Sequence, residues 1–254
     1  FIVRYLIMLL LAILFLVTAL LYSSVGFGGG STYLALLLIW EIPYFIFPVI
    51  ALLCNIIVVS GNCFNYIRGG NLNLKLLLPY LIGSVPLAYI GGSLSVEKQF
   101  FEILLFMVLL LAGTLLLFNF KSYDDKKDNY NKIPVFFSIL IGGVLGLISG
   151  IVGIGGGIFL SPILFLIRAG QPKHIVTTAS IFILINSISG IIGHLTKSSI
   201  LIEIQNYWYL IVAVFIGGQI GNFLNLKVFP VRILALLTAT LVLFVATRMG
   251  VRLL

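Results

Sequence analysis

Apolar residues in this chain gather into long blocks separated by short polar breaks. In the first half the blocks cover about 2–22, 33–40, 43–60, 74–95 and 99–119. In the second half they cover about 133–149, 158–168, 172–195, 207–224 and 230–250. A helix that spans lipid needs about 20 apolar residues. Each half therefore has four blocks long enough to span and one that is too short. At about 1.5 Å per residue the short blocks, 33–40 and 158–168, reach only half-way across. Each follows a glycine cluster, Gly26-Phe27-Gly28-Gly29-Gly30 or Gly153-Ile154-Gly155-Gly156-Gly157. The pattern predicts an all-α polytopic membrane protein. It has about eight long transmembrane helices plus two short half-helices, each opened by a glycine break.

The two halves repeat one another. The glycine cluster recurs 127 residues on, Pro43 and Ser60-Gly61 match Pro172 and Ser189-Gly190 at 129, and Ile90-Gly91 matches Ile220-Gly221 at 130. The expected organisation is a first transmembrane repeat over 1–120, a polar linker over 121–132 and a second repeat over 133–254. Arg4 and the apolar run behind it have the look of a signal peptide. No small-x-small cleavage site follows, and the segment has a counterpart in the second half, so it reads as a mature helix.

Composition agrees with this reading. Apolar residues make up 61% of the 254 and charged residues 9%, against roughly 25% charged in ordinary soluble domains. So few charges cannot cover a soluble globule, which excludes a soluble enzyme or a nucleic-acid binder. The mean hydropathy is +1.23. The net charge of +8 comes from basic residues scattered through short loops. That is a topology signal, with attraction of anions toward the pore mouths as a second reading. If the short segments re-enter, eight crossings result; if they cross, ten crossings and inverted halves result. Both count ten basic residues on one side against five on the other, and both put the 121–132 linker in the cytoplasm. Cys54 and Cys63 are isolated, so no metal centre, disulfide framework or cofactor is expected.

The glycine breaks are the candidate chemistry. Glycine lets backbone amides face a ligand, and a helix start leaves its first amides unpaired with a positive partial charge. Gly28, Gly29, Gly30, Ser31 and Thr32 open one half-helix; Gly155, Gly156 and Gly157 open the other. Together they are candidates to cradle an anion from two directions. Close helix packing is the plainer account of the same glycines. A nucleotide loop is excluded, because no Lys lies in either cluster and Ser31 and Ile158 stand where a dinucleotide fingerprint needs Gly.

A polar stripe follows each half-helix. Asn186, Ser189, Gly190, Gly193, His194 and Lys197 share one helical face, and Ser60, Gly61, Asn65 and Arg68 lie along the corresponding helix of the first half. These residues line a pore with Arg68 and Lys197 as basic groups at its mouths, or they serve interhelical hydrogen bonds and snorkelling. Thr177, Thr178 and Ser180 add a hydroxyl cluster suited to sulfonate or sulfite oxygens, where the first half has Pro48, Val49 and Ala51. Gln219 and Asn222 are further candidates. No carboxylate lies mid-helix, since Glu41, Glu97, Glu102 and Glu203 sit in loops or near helix ends and the three Asp are in the linker. His194 is then the first candidate for any proton coupling, with His174 the other neutral-pH titrator.

The twofold G-x-G-G-G motif, the Pro-started helix with its S-G pair, and the closing I-G-G and Q-I-G-N segments resemble the sulfite exporter TauE/SafE family. That family sits within the 4-toluene sulfonate uptake permease-like superfamily. The resemblance runs from about Ser23 to the last helix. It implies a duplicated multi-pass protein of the bacterial or archaeal cytoplasmic membrane that moves sulfite, sulfonates or related organic anions, usually outward. The expected activity is secondary transport of a small anion, not catalysis, by alternating access around the two breaks. The expected partners are that anion and the lipid bilayer, with homo-oligomer formation open and nucleic acid excluded. Two other readings stand beside it. One is a non-transporting assembly or scaffold subunit. The other is an intramembrane hydrolase using Ser149 and His194, although Ser149 lacks the G-x-S-x-G elbow.

Overall fold

A computed structural model describes residues 2–118, 130–131, 133–197, 203–224 and 231–253. The linker over 121–132 lies outside the described residues except for 130 and 131. The described residues form helices and short turns, with no strand among them. The long helices are α1 (Ile2–Val25), α3 (Phe47–Arg68), α4 (Leu74–Ser93), α5 (Lys98–Phe118), α6 (Val135–Val152), α8 (Pro172–His194), α9 (Trp208–Leu224) and α10 (Val231–Leu253). The half-helices are α2 (Gly30–Ile39) and α7 (Gly157–Leu166), of 10 residues each. Seven stretches of the described residues are long and apolar enough to cross a membrane.

Local chemistry explains the boundaries. Pro48 and Pro172 stand in the first turns of α3 and α8, where a missing N–H costs nothing and the fixed φ suits a helix. Asn73 caps α4, its side chain accepting from the Leu76 amide at 3.2 Å. The polar stripe of the first half lies on α3 because that helix continues past residue 60 to Arg68. After α6 the chain takes φ of +88° at Gly153, +79° at Gly155 and +73° at Gly156. Side-chain-bearing residues rarely adopt such angles, so glycine permits the break.

Interhelical contacts give each helix a direction. Gly142, Gly146 and Gly150 of α6 lie against the backbone of Tyr80, Ser84 and Ala88 of α4, so these helices are parallel. Gly217 and Gly221 of α9 lie likewise against Leu16 and Leu20 of α1. The Ser189 hydroxyl donates to the Val85 carbonyl at 2.7 Å and Gly193 abuts Tyr89, so α8 also runs with α4. Val58 and Asn65 of α3 meet Gly218 and Asn222 of α9, again in parallel. By contrast α3 and α8 oppose each other. Leu52, early in α3, touches Gly190, late in α8, while Gly26, which Tyr66 covers, accepts from Ser180 near the start of α8. The pair α5 and α10 is antiparallel too, with Gly113 against Ala239 and Gly250 against Phe106.

Exchanging α1–α5 for α6–α10 maps the main helix pairs onto one another. The pair α4/α6 becomes α9/α1, α4/α8 becomes α9/α3, and α2/α3 becomes α7/α8, while α3/α8 and α5/α10 return to themselves. Because those last two pairs are antiparallel, the halves are inverted. Each half-helix completes a pass begun by its break. Trp40 Nε1–H, just past α2, donates to the Ile7 carbonyl near the start of α1 at 3.2 Å. Asn131, just before α6, donates to the Ile167 carbonyl just past α7 at 3.0 Å. Among the described residues the ten helices thus run alternately in opposite directions through the bundle, the order that the ten-crossing topology requires.

Candidate functional site

The two breaks meet in the middle of the molecule. A Cβ placed on Gly30 would fall 2.5 Å from the Ile154 carbonyl oxygen, so the start of α2 faces the second break directly. Neither α2 nor α7 has a side-chain cap at its start. The amides of Gly30, Ser31 and Thr32, and those of Gly157 and Ile158, open their helices without an intrahelical acceptor. Each start carries roughly half a positive charge, and the two approach from opposite directions.

Asn55 of α3 bridges them. It is fully buried. Its Oδ1 is 2.7 Å from where a Gly28 Cβ would stand, and its Nδ2 is 2.7 Å and 2.8 Å from those of Gly155 and Gly30. The carbonyl therefore lies beside Gly28 of the first break, and the Nδ2 group lies between Gly30 at the start of α2 and Gly155 of the second break. Neither atom has a hydrogen-bond partner among the described residues. Ile183 of α8 packs on both Gly28 and Gly155, and Ser187 lies beside Gly155 with its hydroxyl unpartnered. Leaving such groups unpaired in an apolar interior costs about 1–3 kcal/mol each, so this cluster is built with hydrogen-bonding capacity to spare. Asn55 was not among the residues singled out from the sequence.

The other candidates are distributed around this centre. Ser31 and Thr178 are buried with unpartnered hydroxyls. The Thr32 hydroxyl pairs with that of Tyr22 at 2.8 Å. Thr177 bonds back to the Lys173 carbonyl at 2.7 Å, and the Ser180 hydroxyl donates to the Gly26 carbonyl. Asn186 is fully buried; its Nδ2 donates to the Phe182 carbonyl at 2.8 Å and its Oδ1 has no partner among the described residues. Asn65 donates to Asn222 Oδ1 at 2.9 Å on the exposed end of α3. Gln219 and Arg68 are exposed. Of the stripe on α8, Ser189, Gly190 and Gly193 are taken up in packing against α4.

Residues 10–249 match the family described as sulfite exporter TauE/SafE. The chain belongs to that family. It is 27% identical over 212 residues to probable membrane transporter protein y4hK of Sinorhizobium fredii, covering 83% of this chain and 85% of the other. It is 28% identical over 253 residues to probable membrane transporter protein MJ0441 of Methanocaldococcus jannaschii, covering 91% of each. The corresponding protein YunE of Bacillus subtilis is 26% identical over 263 residues, covering 92% and 94%. No solved structure matches.

Within this TauE/SafE member, the pairing proposed for a hydrolase is not assembled. His194 Nε2–H donates to the Gly150 carbonyl at 2.8 Å, and the Ser149 hydroxyl has no partner among the described residues. His174 bonds the Asn71 carbonyl at 2.8 Å, so both imidazoles hold backbone. Past the end of α8, Lys197 Nζ donates to the Leu94 carbonyl at 2.6 Å, and partial burial draws its ammonium below the ordinary lysine value.

Proposed function

We propose that this TauE/SafE-family chain is a secondary transporter, working as an exporter, for a small oxyanion of the sulfite or sulfonate class. The two inverted halves alternate access around the meeting point of the glycine breaks. The observation that carries this reading is the convergence of two uncapped helix starts on Asn55, whose amide is buried and unpartnered. Opposed helix starts favour negative charge, and broken helices meeting between repeats mark binding sites in secondary transporters. A sulfur oxyanion offers several acceptor oxygens. They match the amides of Gly30, Ser31, Gly156 and Gly157 and the Nδ2 of Asn55. With no carboxylate beside this centre among the described residues, a cation is disfavoured there.

The cytoplasmic membrane of a bacterium or archaeon is the proposed location. The positive-inside rule applied to the ten-pass topology puts the linker, Arg68, Lys75, Arg168 and Lys173 in the cytoplasm. It puts Lys98, Lys197 and Arg248 on the opposite face.

The test is flux through the full chain in proteoliposomes against sulfite, sulfoacetate, taurine, thiosulfate and acetate. Asn55→Leu keeps the volume and removes the amide; Asn55→Asp adds a negative charge between the helix starts. Both are expected to cut anion flux by at least about tenfold, equivalent to about 1.4 kcal/mol, with insertion unchanged. Gly29→Val and Gly156→Val are expected to abolish it. Wild-type flux in all four variants would refute the site, and absence of flux for every anion with the native chain would refute the transport reading.

A further inference from the structure

The face opposite the linker carries a cleft of about 230 Å³. Its lining includes Pro48, Leu94, Ser95, Ile151, His194 and Lys197, and no carboxylate. Lys197 supplies the cleft's lysine charge. One ammonium hydrogen is given to the Leu94 carbonyl, which leaves two donors on that group. The imidazole of His194 is fixed by its bond to Gly150 and ties the end of α8 to the end of α6. The cleft beside it, about 300 Å³, differs in kind. It holds Glu41 and the pair Lys98–Glu102, whose charged atoms lie 3.8 Å apart, so its lysine is already countered.

Segments that form the second break supply part of the wall of the first cleft. Pro48 and Ile151 line it, and Gly153, two residues past Ile151, packs so tightly on Pro48 that a Cβ there would fall 2.3 Å from the Pro48 Cα. From Gly153 the break runs two residues to Gly155 beside Asn55. The same break therefore touches a residue of the cleft wall at Gly153 and the buried amide at Gly155.

We infer that this cleft is a second anion site, an outer station where a small oxyanion rests on the Lys197 ammonium, with the Pro48–Gly153 contact as the barrier between it and the centre. The inference takes its ligand class from the transport reading above. The cleft's own charge is what recognises the anion. The Leu94 carbonyl orients the ammonium, and Ser95 marks the rim.

The experiment places a reporter thiol at the rim, Ser95→Cys, in the full chain in lipid nanodiscs. Cys54 and Cys63 are buried, so the unsubstituted chain serves as the background. The thiol is reacted in turn with an anionic sulfonate-bearing methanethiosulfonate and with its cationic trimethylammonium analogue. The anionic reagent is expected to be favoured about tenfold over its ratio on free cysteine, and millimolar sulfoacetate is expected to slow both reactions. Adding Lys197→Gln is expected to remove the preference and the protection, while Lys197→Arg keeps both. A reagent ratio untouched by Lys197→Gln, or no protection by sulfoacetate, overturns the proposal. The outcome is separable from that of the central site. Protection at the rim with no flux leaves the cleft standing and removes transport. Flux that depends on Asn55 without protection removes the cleft alone.

Discussion

Asn55 has two unpartnered polar atoms in a fully buried side chain. Replacing such a group by an apolar one of similar volume is neutral or stabilising in the absence of ligand. Asn55→Leu is accordingly expected to raise the thermal stability of the anion-free protein by about 1 kcal/mol while erasing the stabilisation that a bound anion adds. Thermal unfolding in detergent, with and without sulfoacetate, reads both changes. A lower stability in the anion-free variant would mean the amide is already satisfied. The sequence hid this residue for a specific reason. Asn55 has no counterpart in the repeat, since Leu184 stands 129 residues beyond it. An asparagine inside the run Ile50–Val59 was signal enough, because an amide at lipid depth normally faces an interior. The glycines and Ser31, in contrast, were legible because their pattern recurs or adjoins the motif.

At the scale of helices the hydrophobic blocks located the ten α-helices named among the described residues. Block length and glycine position are local properties, and in lipid the backbone must satisfy itself within each helix. What the blocks could not supply was which face meets which neighbour. The stripe on α8 illustrates this. Its small and polar residues suit a pore or a close helix contact, and Ser189, Gly190 and Gly193 are used in contact with α4. The contact of α6 with α4 rests on the same device. Gly142, Gly146 and Gly150 bring the two backbones together, and a Cβ on Gly146 would fall 2.3 Å from the Ser84 carbonyl oxygen. Small residues let membrane helices approach this closely. Gly146→Val is expected to destabilise the protein by about 1–3 kcal/mol through overpacking, seen as a lower unfolding temperature. Gly70→Ala, at a loop glycine with open space around it, bears only its positive φ of 70° and is expected to cost less.

For the whole molecule, charge counting alone gave the same ten-to-five division for eight and for ten passes. Only the direction of α3 against α8 separates them. The ten-pass arrangement puts Gln171 on the face of the linker and Thr196 on the other; the eight-pass arrangement reverses both relative to the linker. Single cysteines at Asp125, Gln171 and Thr196, probed with a membrane-impermeant thiol reagent on intact cells, test this. Thr196→Cys is expected to label, and Asp125→Cys and Gln171→Cys only after permeabilisation. Labelling of Gln171→Cys alone would restore eight passes.

The parallel contact of α1 with α9 also sets an order of events during synthesis. Leu16 and Gly217, which touch in the finished bundle, are 201 residues apart. At the usual 5–20 residues per second, α1 waits about 10–40 s in the bilayer before its partner exists. During that time its contact surface is covered by lipid or by another chain. Translation speed and crowding of nascent copies thus become determinants of yield for this protein. Separately expressed halves would each carry an open seam that only the other half closes.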